Sequence, residues 1–270
     1  MNAPATLPGI IMASANINPA IGIYGDPGVG KTSLAASIPS VVFLQTEPGI
    51  PAGITVPSFG MAMSFSAVMA AMAELYTAAH PYKALAVDSI SALQPLVWEE
   101  TCRRGDVNGS PKLNIEGFGY GKGYVLALSV WAEFIEGLEA LRRDRGMMIV
   151  LIAHSTIRKF ADPESTVYDR HELDLHEKAA SQITRWLDAV LLLKRPAIIR
   201  TEDAGFNRKR SHAEPLGNAP VIHTVASPAF IAKNRLGMPP VIRFEQGKGF
   251  EALAPFLPGF SNPTATEKEK

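Results

Sequence analysis

Cysteine is nearly missing from this 270-residue chain: Cys102 stands alone. A single thiol excludes a disulfide framework and suits a reducing compartment. Long apolar runs are missing too, since no stretch approaches the length of a membrane span. The start, Met1-Asn2-Ala3-Pro4-Ala5, has no charged region leading into an apolar core, so a cytoplasmic protein with no membrane partner is the expectation. Net charge is absent as well, with 26 basic against 26 acidic residues. Nothing global therefore draws the chain to nucleic acid or lipid, and any such surface has to be local. No internal repeat is present. The composition that remains, 47% hydrophobic and 19% charged, is enough to bury one sizeable core in a single large domain.

One short run dominates what is there. Gly25-Asp26-Pro27-Gly28-Val29-Gly30-Lys31-Thr32 fits G-x-x-x-x-G-K-[ST] without a mismatch. Ahead of it lies an apolar strand candidate, Ala20-Ile21-Gly22-Ile23-Tyr24; behind it Ser33 opens a helix that Pro39 stops. Glycines let backbone N–H groups wrap an anion, and the helix N-terminus adds unpaired donors and the positive end of its dipole. Lys31 would reach the outer phosphates of a nucleotide, and the Thr32 hydroxyl would complete a magnesium shell. The four fixed positions arise by chance in about one chain in a hundred of this length. A plain strand-to-helix turn explains the glycines but leaves Lys31-Thr32 a coincidence.

Further buried strands follow. Val41 to Thr46 is a β-branched run ending at Glu47-Pro48-Gly49, which leaves Glu47 at the carboxyl edge of a sheet, where ligands of open α/β sheets bind. Met61 to His80 reads as a helix whose methionines pack in a core. Lys83 to Ser89 is a second apolar strand ending in an acid, the Walker B pattern, with Asp88 set to hold the magnesium. A helix carrying Trp98 comes next, then a Gly-, Asn- and Ser-rich segment over 105–123 without apolar periodicity. That segment is either a connector or a mobile loop offering Phe118, Tyr120, Tyr124 and a lysine to nucleic acid.

Tyr124 to Arg145 is a long amphipathic helix whose terminal arginines complement its dipole. Met147 to Ser155 is the most apolar strand, and His154 at its carboxyl end points toward the γ-phosphate position. The charged stretch 156–178 reads as a second mobile loop. A helix over 179–187 and a buried strand, Ala189 to Lys194, complete the parallel pattern. Thereafter Ala197–Thr201, Val221–Val225 and Val241–Phe244 alternate like short strands added to one sheet edge, with Arg208-Lys209-Arg210 in a turn. Residues 1–19 form a weak lead-in, 20–257 the domain, and 258–270 a polar tail expected to be disordered.

Together these pieces resemble the RecA-like P-loop ATPase core, in order along most of residues 18–245. Val87-Asp88-Ser89-Ile90-Ser91-Ala92-Leu93 is similar to the RecA Walker B segment, and Lys233-Asn234-Arg235-Leu236-Gly237 to the basic pair such proteins insert into a neighbour's ATP site. A small domain with these parts looks most like the phage RecA-type ATPases of single-strand annealing and recombination. The resemblance implies an α/β fold with a mainly parallel central sheet flanked by helices, and short antiparallel strands near the C-terminus. It implies a Mg²⁺-dependent ATPase, stimulated by DNA, with Glu47 orienting water, Lys31, Lys233 and Arg235 neutralising charge, and His154 in the γ-phosphate sensor position, where the family usually has Gln. It also implies self-association into a ring or filament and single-stranded DNA facing 105–123 and 156–178. A single-strand-binding protein is a further candidate partner, and the host-cell cytoplasm the location if the chain is phage-encoded.

Two rivals carry different chemistry. A small-molecule P-loop kinase would use 156–178 as an acceptor lid but leaves Lys233-Asn234-Arg235 unexplained. A nucleotide-locked annealing scaffold would pair DNA without turnover.

Overall fold

The computed structural model describes residues 18–163, 166–203, 209–215, 217, 219–245 and 247–260. Most of the 1–19 lead-in, Arg208 of the basic turn and the tail from 261 onward lie outside the described residues.

Strand β1 (Ala20–Gly25) runs into the glycine loop and helix α1 (Lys31–Ala36). Then come β2 (Val41–Gln45), β3 (Ser58–Met61), α2 (Phe65–Thr77), β4 (Ala84–Asp88) and α3 (Ile90–Arg104). Helix α4 (Lys122–Arg145) leads into β5 (Met148–Phe160), β6 (Tyr168–Leu173), α5 (Glu177–Trp186) and β7 (Ala189–Lys194). The remainder is β8 (Ala197–Asp203), β9 (Lys209–Pro215), β10 (Val221–His223), β11 (Lys233–Asn234), β12 (Val241–Arg243) and α6 (Gly249–Leu253).

The main sheet runs β12-β10-β7-β1-β5-β4-β2-β3. Strands β7, β1, β5, β4, β2 and β3 pair in parallel, while β10, β11 and β12 are antiparallel additions at the β7 side. This is the mainly parallel α/β architecture the sequence predicts. The apolar runs explain it: a strand buried on both faces is apolar at every position, and all six residues of β1 and all five of β4 are buried. Helices α2 to α5 cover one face, where Trp131, Phe134 and Leu138 of α4 pack. Helices α1 and α6 cover the other, through Leu34 and Phe250. Phe260 still packs edge-on against Phe250, with centroids 5.4 Å apart.

Four local readings need correction. Helix α2 starts at Phe65 rather than Met61, because the Ser64 hydroxyl accepts the Ala67 N–H at 3.2 Å and caps it. The residues before it form the exposed edge strand β3, whose short run with a glycine carries too little β signal to be seen. Second, 156–178 is no loop. Strand β5 continues for 13 residues and pairs antiparallel with β6 from Ser155↔Leu173 to Phe160↔Tyr168, making a ribbon that leaves the sheet. Its charges find partners within the ribbon instead of requiring a core: Arg158 of β5 faces Glu172 of β6 at 3.9 Å, Glu172 also accepts from Arg170 on its own strand, and Arg170 lies 3.7 Å over the Phe160 ring across the pair.

Third, β8 pairs with β9 in a separate two-stranded sheet, so of the three strands expected at the main edge it is β10 and β12 that join it. Lys209 and Arg210 begin β9 rather than lie in a turn. Fourth, α4 starts at Lys122, and the 105–121 stretch before it is folded back on itself. The Asp106 carboxylate accepts the Asn108 and Ser110 N–H groups and pairs with Lys112 at 3.1 Å, and a 3-10 turn, Ile115–Phe118, buries Ile115.

The amino edge of the sheet is closed by one carboxylate. Asp188 accepts the Ala20 N–H at 3.0 Å and the Arg142 guanidinium, whose Nε donates to the Asn18 carbonyl at 2.6 Å. These bonds tie the starts of β1 and β7 to the end of α4. Asp188→Ala would leave the Arg142 guanidinium with Glu139 as its one carboxylate partner among the described residues and the Ala20 N–H without its acceptor, a loss of about 1–3 kcal/mol. The urea midpoint should fall by that loss divided by the slope, with the slope itself unchanged, while nucleotide affinity at the opposite edge stays near wild type.

Candidate functional site

Parallel register brings the chemistry to one line. Gly25 lies opposite His154 across β1 and β5, and Gln45 opposite Asp88 across β2 and β4. Gly25 is glycine by necessity, because a Cβ there would collide with the Leu193 carbonyl of β7. Gly30 has φ 107°, a left-handed turn into α1 that L side chains resist.

Lys31 turns back into the loop and is 6% exposed. Its Nζ donates to the carbonyls of Gly25 at 2.8 Å and Asp26 at 3.0 Å. Burial lowers the Lys31 pKa, and the charges of Asp88, Glu47 and Asp26 oppose that. The Thr32 hydroxyl donates to Asp88 Oδ2 at 2.7 Å. Burial pushes the Asp88 carboxyl up, the Thr32 hydrogen bond works against this, and neighbouring Glu47 adds to it. A carboxylate and an ammonium are thus held together out of water, with the half-buried Glu47 carboxylate beside them.

Glu47 faces His154, whose Nε2 lies 2.9 and 3.1 Å from the two carboxylate oxygens. The His154 backbone N–H is fixed by the Ser91 hydroxyl at 3.0 Å, and its buried Nδ1 has no hydrogen-bond partner among the described residues. Next along β5, the Ser155 hydroxyl donates to the Asp26 carboxylate. A cavity of about 500 Å³ opens over the loop. Glu47, Asp88 and His154 line one side; Arg195, Pro220 and Phe244 line the other.

The pocket fits a magnesium nucleotide. A glycine cradle with a buried lysine already bonded to oxygens suits phosphate, and a hydroxyl beside a carboxylate is an all-oxygen donor set suited to Mg²⁺. Thr32 and Asp88 would hold the ion; Gly25 to Ser33, Lys31 included, would hold the phosphates.

Lys233 and Arg235 are not brought to this cavity. Strand β11 pairs with the first residues of β7, at the amino edge of the sheet. There Lys233 Nζ donates to the carbonyls of Thr184 and Arg185, both at 2.9 Å, and of Leu187, capping the end of α5. Burial, then the charge of Arg235, lowers its pKa. The Arg235 side chain is exposed, and its backbone N–H donates to the Asp188 carbonyl at 3.1 Å.

Of the candidate stacking aromatics, Tyr124 is already occupied. It stacks on His176 at 4.2 Å and bonds Glu116 through its hydroxyl, joining the 105–123 segment to the far end of 156–178. Phe118 packs on the core, and Tyr120 is fully exposed.

Sequence reasoning missed Arg195, which donates to the Gly28 carbonyl at 3.0 Å. It follows the last residue of a buried strand, the same signal that singled out Asp88 and His154.

The folded protein holds the Asp88 proton more tightly than the unfolded chain does. Ionising Asp88 therefore weakens the ligand-free fold, starting as pH rises through the ordinary carboxylate range and fully above the raised pKa. Asp88→Asn, which keeps an acceptor for Thr32, should melt about 2–4 °C above wild type at neutral pH if about 1 kcal/mol is relieved. The gap should close at acid pH, and Mg²⁺-dependent stabilisation by nucleotide should be lost. Thermal unfolding across pH, with and without magnesium nucleotide, checks all three outcomes.

A family model described as an AAA domain matches residues 17–236. No curated protein matches the chain. The family match takes in the strand, the glycine loop, Glu47, Asp88, His154 and the ribbon, and reaches just past Arg235. Geometry and family point the same way: the chain belongs to the AAA-domain family, with a P-loop ATPase-type fold that binds nucleotide.

Proposed function

We propose that the protein is a RecA-like, Mg²⁺-dependent ATPase acting on single-stranded DNA, in phage-type recombination or strand annealing. The observation that supports this most is the Glu47–His154 contact. It joins a carboxylate at the nucleotide pocket to the residue from which the β5–β6 ribbon grows.

In this reading Thr32 and Asp88 would hold a Mg²⁺ ion, whose charge would offset that of the outer phosphates. Lys31 exchanges the Gly25 and Asp26 carbonyls for phosphate oxygens. Glu47 orients the attacking water and accepts hydrogen bonds from it, which requires loosening its contact with His154. His154, as the γ-phosphate sensor, passes that change into the ribbon. Arg235 of an adjacent subunit completes the site in a ring or filament. Lys233 joins it only by giving up the α5 carbonyls it caps.

Single-stranded DNA faces the 105–123 and 156–178 segments, with Tyr120 the free stacking surface. Each stacked base adds about 1–3 kcal/mol. The ribbon's acids keep affinity modest, and the phosphate contacts its basic residues make are strongly salt-sensitive. A single-strand-binding protein is a fitting recruiter.

The test is ATP hydrolysis with and without oligo-dT at low salt. Wild type should be stimulated. Lys31→Ala and Glu47→Gln should lose turnover, and Arg235→Ala should lose on the order of a thousandfold. Wild-type activity should also fall on dilution. No response to DNA in the wild type removes the DNA reading, and full activity at high dilution removes the shared site.

A further inference from the structure

We infer that Arg195 is a second cationic grip on the nucleotide, holding the phosphates that are not transferred; the inference rests on the nucleotide reading above. Strand β7 pairs with β1 on the side opposite β5, while β5 and β4 carry His154 and Asp88, and Glu47 lies two residues beyond β2. The hydrolytic end of the cavity is therefore on the β5 side of the glycine loop. Arg195, one residue beyond β7, lines the same cavity across the loop, on the side of Pro220 and Phe244.

Its guanidinium suits that place. Arg195 is exposed and, among the described residues, makes one hydrogen bond, to the Gly28 carbonyl at 3.0 Å, and no ion pair. A guanidinium carries five N–H donors in a planar fork that matches phosphate oxygens, so most of its donors are uncommitted. Among the described residues, Lys31 and Arg195 are the lysine and arginine that line the cavity. Lys31 sits by the carboxylates of Asp88 and Glu47, which leaves Arg195 to balance charge nearer the nucleoside. Side-chain rotation alone would exchange the Gly28 carbonyl for a phosphate oxygen.

A mere brace for the glycine loop would use only the hydrogen bond; a phosphate grip uses the charge. Arg195→Gln keeps a donor for Gly28 and removes the charge, so it separates the two. The measurement is calorimetric affinity for Mg–ADP and for a non-hydrolysable Mg–ATP analogue, with the wild type, Arg195→Gln and Arg195→Lys, at low and high salt. Arg195→Gln should weaken both nucleotides alike, by about ten- to a hundredfold, as expected for a charge-assisted hydrogen bond. Arg195→Lys should recover part of the loss, and the wild-type advantage should shrink with salt. Wild-type affinity in Arg195→Gln would overturn the inference. So would a loss confined to the ATP analogue, which would move Arg195 to the transferred phosphate. Failure of the wild type to bind either nucleotide would instead overturn the nucleotide reading itself.

Discussion

Everything at the nucleotide pocket depends on the register of the parallel strands. Strands that start level also end level, so residues far apart in sequence reach one edge together: Gly25 beside His154, and Asp88 between Gln45 and Ile152. Register is tightly set here because both faces of these strands are buried; a slip of one residue would turn each side chain to the other face. The two-layer helix cover thus does more than stabilise the sheet. It fixes where the carboxylates and the lysine meet.

The two edges of the sheet treat polar groups in opposite ways. At the amino edge Asp188, Arg142, Asn18 and Lys233 satisfy one another and the nearby carbonyls, and they hold β1, β7, α4 and α5 together. At the carboxyl edge Lys31 and Asp88 are both pushed by burial toward their neutral forms. His154 there keeps a buried nitrogen without a partner among the described residues. Charged groups held this way cost the ligand-free protein stability, and a magnesium-bound anion relieves that cost. The asymmetry marks which edge is scaffold and which is site.

This division also explains what was legible in the sequence. Continuous apolar runs identified β1, β2, β4, the start of β5, and β7, and a polar residue at a strand tip identified Asp88 and His154. Pairing partners were invisible. The ribbon looked like a loop because Arg158 of β5 is balanced by Glu172 of β6, a cross-strand relation that one-dimensional charge counting cannot reveal. Lys233 looked like a free cation for the same reason: the three carbonyls it caps lie some 46 to 49 residues earlier in the chain. Arg195 carried a usable signal, but its strand was read only for its apolar body.

The ribbon is joined to the glycine loop on both of its strands. On β5, side chains alternate, so His154 reaches Glu47 while Ser155 reaches Asp26 in the loop. On β6, the His171 carbonyl accepts from the Tyr24 hydroxyl at 3.3 Å, and Tyr24 directly precedes the loop. Tyr24 also donates to the Ile231 carbonyl at 2.6 Å, two residues before the lysine that caps α5. A twist of the ribbon therefore cannot leave the loop alone: it pulls on Asp26 through one strand and on Tyr24 through the other. The converse holds equally, because a change at the loop or at Glu47 has rigid, hydrogen-bonded routes outward into the ribbon. These contacts are the physical links between the pocket and the ribbon.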